Sequence, residues 1–314
     1  MRKISLIAMA LILAAALFAG CASGGAETSI EPAKQPATAP TTEQTAEPAP
    51  VRFDTSMEIT VVSREEGSGT RGAFIELMKI EVKQDDGSKV DMTTLEATIA
   101  NSTSVVMTNV SSNPYAIGYI SLGSLNDTVK ALEVDGAEAT VENIKSKAYK
   151  VARPFNIATK GEVDAVTADF IKFIMSAEGQ QVVADNKYIK ADDSAAAYTA
   201  AGLKGKITVA GSSSVTPIME KLKEAYTALN PNVTIEVQQS DSTTGMTSVK
   251  EGICQIGMAS RELKDSELEA GLAPVVIALD GIAVIVNNEN PLTGLTAEQV
   301  MQIFKGEILY WNEI

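Results

Sequence analysis

Residues 207–217 read Ile-Thr-Val-Ala-Gly-Ser-Ser-Ser-Val-Thr-Pro, and residues 59–71 read Ile-Thr-Val-Val-Ser-Arg-Glu-Glu-Gly-Ser-Gly-Thr-Arg. In each stretch an apolar β-branched run leads into a loop rich in glycine and hydroxyl side chains, and an amphipathic helix follows. A helix start offers free backbone N–H groups and the positive end of the helix dipole, which both favour a small oxyanion. Two such loops, one with an arginine, predict a site that holds an anion from two sides.

The first 55 residues are typical of an exported, anchored protein. Residues 1–3 are Met-Arg-Lys, residues 4–18 are almost wholly apolar, and small residues precede Cys21. Residues 1–21 resemble a bacterial lipoprotein signal, in which Cys21 is the lipidated residue; the alternative is an ordinary secretory signal with an incidental cysteine. Residues 22–55 are rich in Ala, Thr, Glu, Pro and Gly without a hydrophobic period, which predicts a disordered tether.

Charge and residue content exclude several functional classes. The formal charge of −14 argues against binding to nucleic acid. The chain contains no histidine, which excludes Ser-His and Cys-His catalysis and the common zinc sites. No cofactor or metal is expected. The carboxylate cluster of Asp85, Asp86 and Asp91 lacks the ligand spacing of known calcium loops and is interpreted as a solvated turn. An anion site in so acidic a chain must depend on local dipoles and one or two arginines.

From about residue 56 onward, predicted strands alternate with predicted helices, which indicates an α/β protein. The predicted strands are 59–62, 116–120, 129–134, 151–157, 207–210, 234–238, 255–258, 275–278 and 282–286. Helices are expected to begin near Thr70, Thr103, Asp164, Thr216, Thr244, Asp265 and Thr296. Residues 187–204 shift to Ala, Asp, Ser and Thr and are predicted to connect two parts of the chain.

Several stretches resemble the phosphate-binding proteins of bacterial ABC uptake systems. The first half of that family is resembled by residues 207–217, 239–245 (Gln-Ser-Asp-Ser-Thr-Thr-Gly), 256–261 (Ile-Gly-Met-Ala-Ser-Arg) and 303–307 (Ile-Phe-Lys-Gly-Glu), with Trp311-Asn312. The second half is resembled by residues 62–71, 113–119 (Asn-Pro-Tyr-Ala-Ile-Gly-Tyr), 153–155 (Arg-Pro-Phe) and 170–174 (Phe-Ile-Lys-Phe-Ile). Together these stretches span nearly all of residues 57–314.

The two halves stand in reverse order. In the family, the Trp-Asn segment leads directly into the strand before the arginine loop; in this chain that junction is open, and residues 187–204 join the family's usual ends. We interpret this order as a circular permutation, which is tolerated when the old ends are close and the new ends lie in an exposed loop. The alternative is a fragment of a tandem or misassembled gene. A permutation requires that Ile314 lie near Met57.

The resemblance implies a type II periplasmic-binding-protein fold, in which hinge strands join two α/β lobes and the ligand lies in the cleft between them. One lobe would be continuous, residues 152–279. The other would be assembled from residues 57–151 and 280–314.

The resemblance also implies the residues that bind the anion. They are Ser213, Ser214, Ser242 and Ser260 from the continuous lobe, and Arg64, Ser68, Gly69 and Thr70 from the other lobe. Glu66 is expected to brace Arg64. Arg261 stands where many relatives have an aspartate that accepts the proton of hydrogen phosphate, so it is either a further donor to the anion or points away. Asp241 and Asp280 are then the nearest candidate acceptors.

These features favour a binding protein without catalytic residues. We expect an extracytoplasmic, lipid-anchored monomer that captures inorganic phosphate for an ABC permease in the membrane. Alternatives are a binder of another oxyanion such as sulfate or molybdate, and a sensor or surface protein on the same fold. A phosphoester hydrolase that uses a loop serine is a further alternative, against which stand the missing histidine and the lack of a Gly-x-Ser-x-Gly motif.

Overall fold

The computed structural model describes residues 52–85 and 88–314; the expected lipoprotein signal, Cys21 and most of the expected tether lie outside these ranges. The strands are β1 (Thr60–Arg64), β2 (Glu81–Lys83), β3 (Lys89–Asp91), β4 (Thr98–Ala100), β5 (Ala116–Ser121), β6 (Lys130–Ala131), β7 (Glu133–Val134), β8 (Ala152–Lys160), β9 (Ile189–Lys190), β10 (Gly205–Ser212), β11 (Val233–Ser240), β12 (Ile256–Ala259), β13 (Leu272–Val286) and β14 (Gly294–Leu295). The α-helices are α1 (Gly69–Leu77), α2 (Thr103–Ser112), α3 (Val141–Lys145), α4 (Ala165–Ile174), α5 (Ala177–Asp185), α6 (Thr216–Leu229), α7 (Ser242–Lys250), α8 (Asp265–Glu269) and α9 (Ala297–Lys305). None of these described helices has the length and apolar content that crossing a membrane requires.

One curled sheet organises the α/β fold. Its strand order is β11-β10-β12-β8-β13-β5-β1-β4, and β6 and β9 also pair with β13. At one end β10 pairs in parallel with β11 and β12, and at the other end β1 pairs in parallel with β4 and β5. The long strands β8 and β13 lie between these ends and are antiparallel to their neighbours. The sheet therefore consists of two parallel portions joined by an antiparallel middle.

Strand β13 passes from one portion of the sheet to the other. Its residues 272–281 pair with β8, and its residues 282–286 pair with β5. The sequence predicted two separate strands, 275–278 and 282–286, and this was wrong. The chain stays extended through Asp280 because that buried carboxylate has an ionic partner on β8, and the register merely shifts between Val276 and Ala278. The predicted strand 129–134 is divided into β6 and β7.

Two large hydrophobic clusters lie on either side of this middle. One contains buried side chains from Ile59 to Val151 and from Ile282 to Trp311, together with Ile189. The other contains buried side chains from Phe155 to Ala278. The predicted connector is anchored between them, since Tyr188 packs in the second cluster and Ile189 in the first. The fold is thus two-lobed, and β8 and β13 join the lobes.

The two ends of the folded body are adjacent. The Ile59 N–H donates to the Leu309 carbonyl at 2.7 Å, and the Trp311 N–H donates to the Met57 carbonyl at 3.4 Å. Glu58 and Tyr310 form an antiparallel bridge. This geometry meets the condition that the permutation hypothesis set for the chain ends.

Candidate anion-binding site

Four helices begin directly after parallel strands of the sheet. α1 follows β1, α2 follows β4, α6 follows β10 and α7 follows β11. Within each parallel portion the strands run the same way, so α6 and α7 begin at one edge of their portion, and α1 and α2 begin at one edge of the other. Hydrogen bonds between residues of the two edges, such as Thr70 to Ser214, show that these edges face each other. Ser68, Ser102 and Asp241 cap α1, α2 and α7 by accepting a backbone N–H of the first turn. The positive ends of these helices make both edges favourable for negative charge.

The hydroxyl side chains at these helix starts, together with the serine that follows β12, form one buried group, named the hydroxyl cluster. It consists of Thr70, Thr103, Ser212, Ser213, Ser214, Ser242 and Ser260. The Thr70 and Ser214 hydroxyl oxygens lie 2.7 Å apart although the residues are 144 positions apart in the chain. The Ser260 N–H donates to Ser242 Oγ at 3.1 Å. Hydroxyl groups both donate and accept, so each can turn its proton toward an anion. The structure therefore brings together five residues predicted from separate motifs: Thr70, Ser213, Ser214, Ser242 and Ser260.

Arg64 lies at the end of β1 and reaches Ser213 in the other lobe. Its Nη2 donates to Ser213 Oγ at 3.0 Å, and the residue is 2% exposed. Its backbone is fixed on both sides: the N–H donates to Tyr119 Oη at 3.1 Å, and the carbonyl accepts from Arg71 Nη1 at 2.7 Å. A guanidinium held this way is a preorganised donor for a tetrahedral oxyanion.

The expectation that Glu66 braces Arg64 was wrong, because Glu65 does so. Arg64 Nε and Nη2 donate to the two carboxylate oxygens of Glu65 at 2.8 and 2.6 Å. Glu65 still lies beside the sheet, where its N–H donates to the Ala100 carbonyl, and so its side chain is next to the guanidinium. Glu66 begins the turn, is exposed, and makes no hydrogen bond to Arg64 among the described residues.

The loop between β1 and α1 approaches the other lobe closely. A Cβ on Gly69 would lie 2.4 Å from Ser242 Oγ and 2.9 Å from Ser260 Oγ, so this position requires glycine in the observed arrangement. The Gly67 carbonyl accepts from both the N–H and the hydroxyl of Thr243 at 3.2 Å. Ser68 caps its own helix, with Oγ accepting the Arg71 N–H at 3.3 Å. The structure thus places Ser68 and Gly69 at the interface between the lobes.

The Arg261 guanidinium points away from the hydroxyl cluster, which is the second of the two alternatives that the sequence left open, and so Arg261 does not stand among the candidate anion ligands. Its two terminal nitrogens each donate to a carboxylate oxygen of Glu267 at 2.8 Å, and Nη1 also donates to the Glu262 carbonyl at 2.9 Å. Burial alone would raise the pKa of Glu267, but hydrogen bonds from Arg261 and from the Lys264 N–H keep it below its usual value. The guanidinium is therefore already bound within its own lobe, while the neighbouring Ser260 belongs to the cluster.

Neither carboxylate proposed as a proton acceptor contacts the cluster. Asp241 accepts from the Thr244 N–H and hydroxyl at the start of α7. Asp280 lies in the hinge, where it accepts from Arg153 Nη2 at 3.1 Å and from Ser121 Oγ at 2.9 Å. Burial raises the pKa of Asp280 to about 6, although Arg153 acts to lower it. In residues 52–85 and 88–314, no carboxylate hydrogen-bonds to a hydroxyl of the cluster.

Sequence reasoning missed Thr103, Ser212 and Glu65. Thr103 Oγ1 lies 3.1 Å from Ser214 Oγ, and the Thr103 N–H donates to Ser213 Oγ at 3.3 Å. A helix start at Thr103 was predicted, but the short exposed strand β4 before it has no apolar run that would have marked a third strand–loop–helix unit. Two adjacent hydroxyl residues at a predicted helix start were the available signal.

A two-lobed α/β fold with buried hydroxyl groups and an arginine between the lobes is typical of one class, the solute-binding proteins. Comparison with known families agrees: a sequence model of the PBP superfamily domain matches residues 44–178 and 196–313, and this chain belongs to that superfamily. It is 56% identical over 257 residues to phosphate-binding protein PstS 2 of Streptococcus agalactiae, which covers 82% of this chain and 87% of that protein.

Relatives from a second species support the same assignment. The chain is 47% identical over 256 residues to phosphate-binding protein PstS 2 of Streptococcus pneumoniae, covering 82% of this chain and 87% of that protein. A crystal structure of a phosphate-binding protein of a phosphate ABC transporter from Streptococcus pneumoniae has a TM-score of 0.66 and 47% identity, covering 82% of this chain and all of that one.

Proposed function

We propose that this protein captures inorganic phosphate outside the cytoplasm and delivers it to an ABC permease. The observation that carries the proposal is the convergence of Arg64, the hydroxyl cluster and four helix starts at one buried point between the lobes. Its relatives are named as phosphate-binding proteins, and their family binds substrates without turning them over. This gives no support to the hydrolase alternative.

The proposed ligands are Arg64, Ser68, Gly69, Thr70, Thr103, Ser213, Ser214, Ser242 and Ser260. Arg64 would supply the fixed positive charge, the hydroxyls would donate to the anion oxygens, and the first-turn N–H groups would complete the shell. Glu65 limits the movement of Arg64 and partly offsets its charge. Such a site replaces the water shell of the anion with donors that need little reorganisation.

The two hydrophobic clusters suit the lobes expected from the sequence, residues 57–151 with 280–314 and residues 152–279. The ligand would favour closure because it binds both lobes at once, and the closed population would grow with its differential affinity. Two features support the permutation: the chain ends meet, and the match to the Streptococcus agalactiae protein is long enough to include both halves in this order. A shared order argues against a misassembled fragment. Anchoring through Cys21 and a monomeric state complete the proposal.

The choice among oxyanions depends on one chemical difference. Hydrogen phosphate carries a proton that needs an acceptor, whereas sulfate only accepts. In this cluster the acceptors are hydroxyl oxygens, which can accept a hydrogen bond from the protonated oxygen of hydrogen phosphate. Unlike a carboxylate, a hydroxyl group does not repel a fully ionised anion. The hydroxyl groups alone do not select between these anions, and phosphate is favoured because the relatives are named as phosphate-binding proteins. Binding of sulfate or molybdate at lower affinity is the second candidate.

Calorimetric competition of phosphate, arsenate, sulfate and molybdate tests the proposal directly. Arg64→Ala should weaken phosphate binding by roughly 100-fold or more, since it removes charge-assisted hydrogen bonds of about 1.5–3 kcal/mol each. Arg52→Ala, which removes an exposed arginine, is the matched control and should bind like the unchanged protein. Equal phosphate affinity in the Arg64→Ala protein would exclude Arg64 from the site, and a protein that binds no oxyanion would favour the sensor or surface role.

A further inference from the structure

A groove lies beside the hydroxyl cluster on the same interface between the lobes. Its volume is about 780 Å³, and its lining includes Gly72 and Ala73 of α1, Arg153 and Pro154 of β8, and Arg261 and Lys264 of the facing lobe. No residue of the hydroxyl cluster lines it. The groove could hold an organic group of moderate size, but it is separate from the anion site.

Arg261 lines the groove and also lies beside the hydroxyl cluster. Its Cγ would lie 3.1 Å from a Cβ on Gly69, next to the cluster, and its Cδ would lie 3.9 Å from a Cβ on Gly72, which lines the groove. The aliphatic part of Arg261 thus passes between the two. The side chain is 10% exposed.

The position of Arg261 is fixed at its far end. Glu267 receives two hydrogen bonds of 2.8 Å from the guanidinium, and the Glu262 carbonyl receives a third of 2.9 Å. Moving the side chain would expose a half-buried carboxylate without its partner, which is unfavourable. Arg261 is therefore a rigid partition rather than a mobile surface side chain.

We propose that Arg261 restricts the site to unesterified oxyanions. The inference rests on the proposed phosphate-binding function and adds a steric criterion to it. A phosphate monoester presents three terminal oxygens to Arg64 and the hydroxyls, but the substituent on its fourth oxygen needs an exit, and the Arg261 stem lies between the site and the neighbouring groove. Both ligands are attracted through their phosphate group, so attraction alone does not separate them. A steric clash between a fixed side chain and the ester substituent can supply the selectivity.

The experiment measures binding of inorganic phosphate and of glycerol 3-phosphate by calorimetry. The unchanged protein should bind phosphate and strongly disfavour the ester. Arg261→Ala should narrow the ratio of the two affinities by about 10–100-fold, the range for opening a pocket to one additional group. Glu267→Ala, which keeps the Arg261 stem but removes its anchor, should narrow the ratio by less. Lys264→Ala, at an exposed position lining the same groove, is the matched control and should leave the ratio unchanged.

Each outcome of this experiment either supports or overturns the role of Arg261. An Arg261→Ala protein that keeps phosphate binding but gains no ester binding overturns the inference, as does an unchanged protein that binds both ligands equally. An equal gain in Lys264→Ala would mean general loosening and also overturns it. If Arg261→Ala does not fold, the Glu267→Ala ratio decides by the same criterion. An unchanged protein that binds no phosphate overturns the proposed function, and this inference with it.

Discussion

Replacing Gly69 with alanine should separate ligand binding from folding. The new methyl group would lie 2.4 Å from Ser242 Oγ and 2.9 Å from Ser260 Oγ, both on the opposite lobe. These separations are well below ordinary contact distances, so either the lobes stay further apart or Ser242 rotates. Rotation would break the 3.1 Å hydrogen bond that Ser242 Oγ accepts from the Ser260 N–H.

The cost falls on the closed state. Forcing an extra methyl group into a packed site costs about 1–3 kcal/mol, which weakens phosphate binding by roughly 5–150-fold. The free protein should lose no stability, because Gly69 is the first residue of α1 and alanine has the higher helix propensity. Gly72→Ala in the same helix is the matched control, since its methyl group would meet Arg261 Cδ at an ordinary 3.9 Å.

Calorimetry gives the affinity, and thermal unfolding with and without phosphate gives an independent measure. A tenfold loss of affinity should reduce the ligand-dependent stabilisation by about 1.4 kcal/mol at saturating phosphate. If Gly69→Ala and Gly72→Ala bind phosphate equally well, the close approach of the two lobes at Gly69 is not part of the bound state. The reasoning would then be refuted.

Two further predictions concern single side chains. Thr103→Val should weaken phosphate binding about fivefold, because it removes one hydrogen bond of about 1 kcal/mol. Thr108→Val, at an exposed position of the same helix, is the control and should have no effect. Equal calorimetric affinities of the two variants for phosphate would exclude Thr103 from the site. The pKa of Asp280 is raised to about 6 in the folded state. Between about pH 4 and 6 the folded state therefore keeps a proton on this carboxyl group that the unfolded state has released. The protonated Asp280 contributes to stability at low pH, and this contribution declines as the pH rises across that window. The unfolding free energy of the protein relative to Asp280→Asn should therefore fall from about pH 4 to 6 and stay constant above; urea denaturation at several pH values measures it, and a difference that rises with pH would contradict the assignment.

The parts of this structure that sequence could predict are those encoded locally. The strand–loop–helix units at Ile59 and Ile207 are written in contiguous apolar and glycine-rich runs, and the structure has β1-α1 and β10-α6 there. The capping of α9 was likewise visible, since Thr296 and Gln299 exchange hydrogen bonds in a capping box. Five cluster residues were predicted because they lie in stretches that resemble the phosphate-binding family.

The errors concern side chains whose direction depends on distant partners. Nothing local distinguishes Glu65 from Glu66; the difference arises because the Glu65 N–H is bound by Ala100, which lies 35 positions further along the chain. The place of Arg261 after Ser260 left open whether it faces the anion, because Glu267 in a separate helix determines where it points. Strand β13 was predicted as two strands on either side of Asp280, and the buried carboxylate is tolerated there because Arg153 on β8 and Ser121 on β5 donate hydrogen bonds to it.

The same distinction explains why the proposed reversed order of the halves is compatible with the candidate site. Each unit that carries proposed ligands is a strand, its following loop and a helix start, and these units are continuous in this chain. The opened junction lies between Trp311 and Met57, where backbone hydrogen bonds such as Ile59 to Leu309 still hold the two ends together. The site depends on which strands lie side by side, and β13 with β8 sets that adjacency whatever the order of synthesis. Reordering the halves therefore changes when each unit is made, while the convergence of Arg64 and Ser213 on one point follows from the sheet itself.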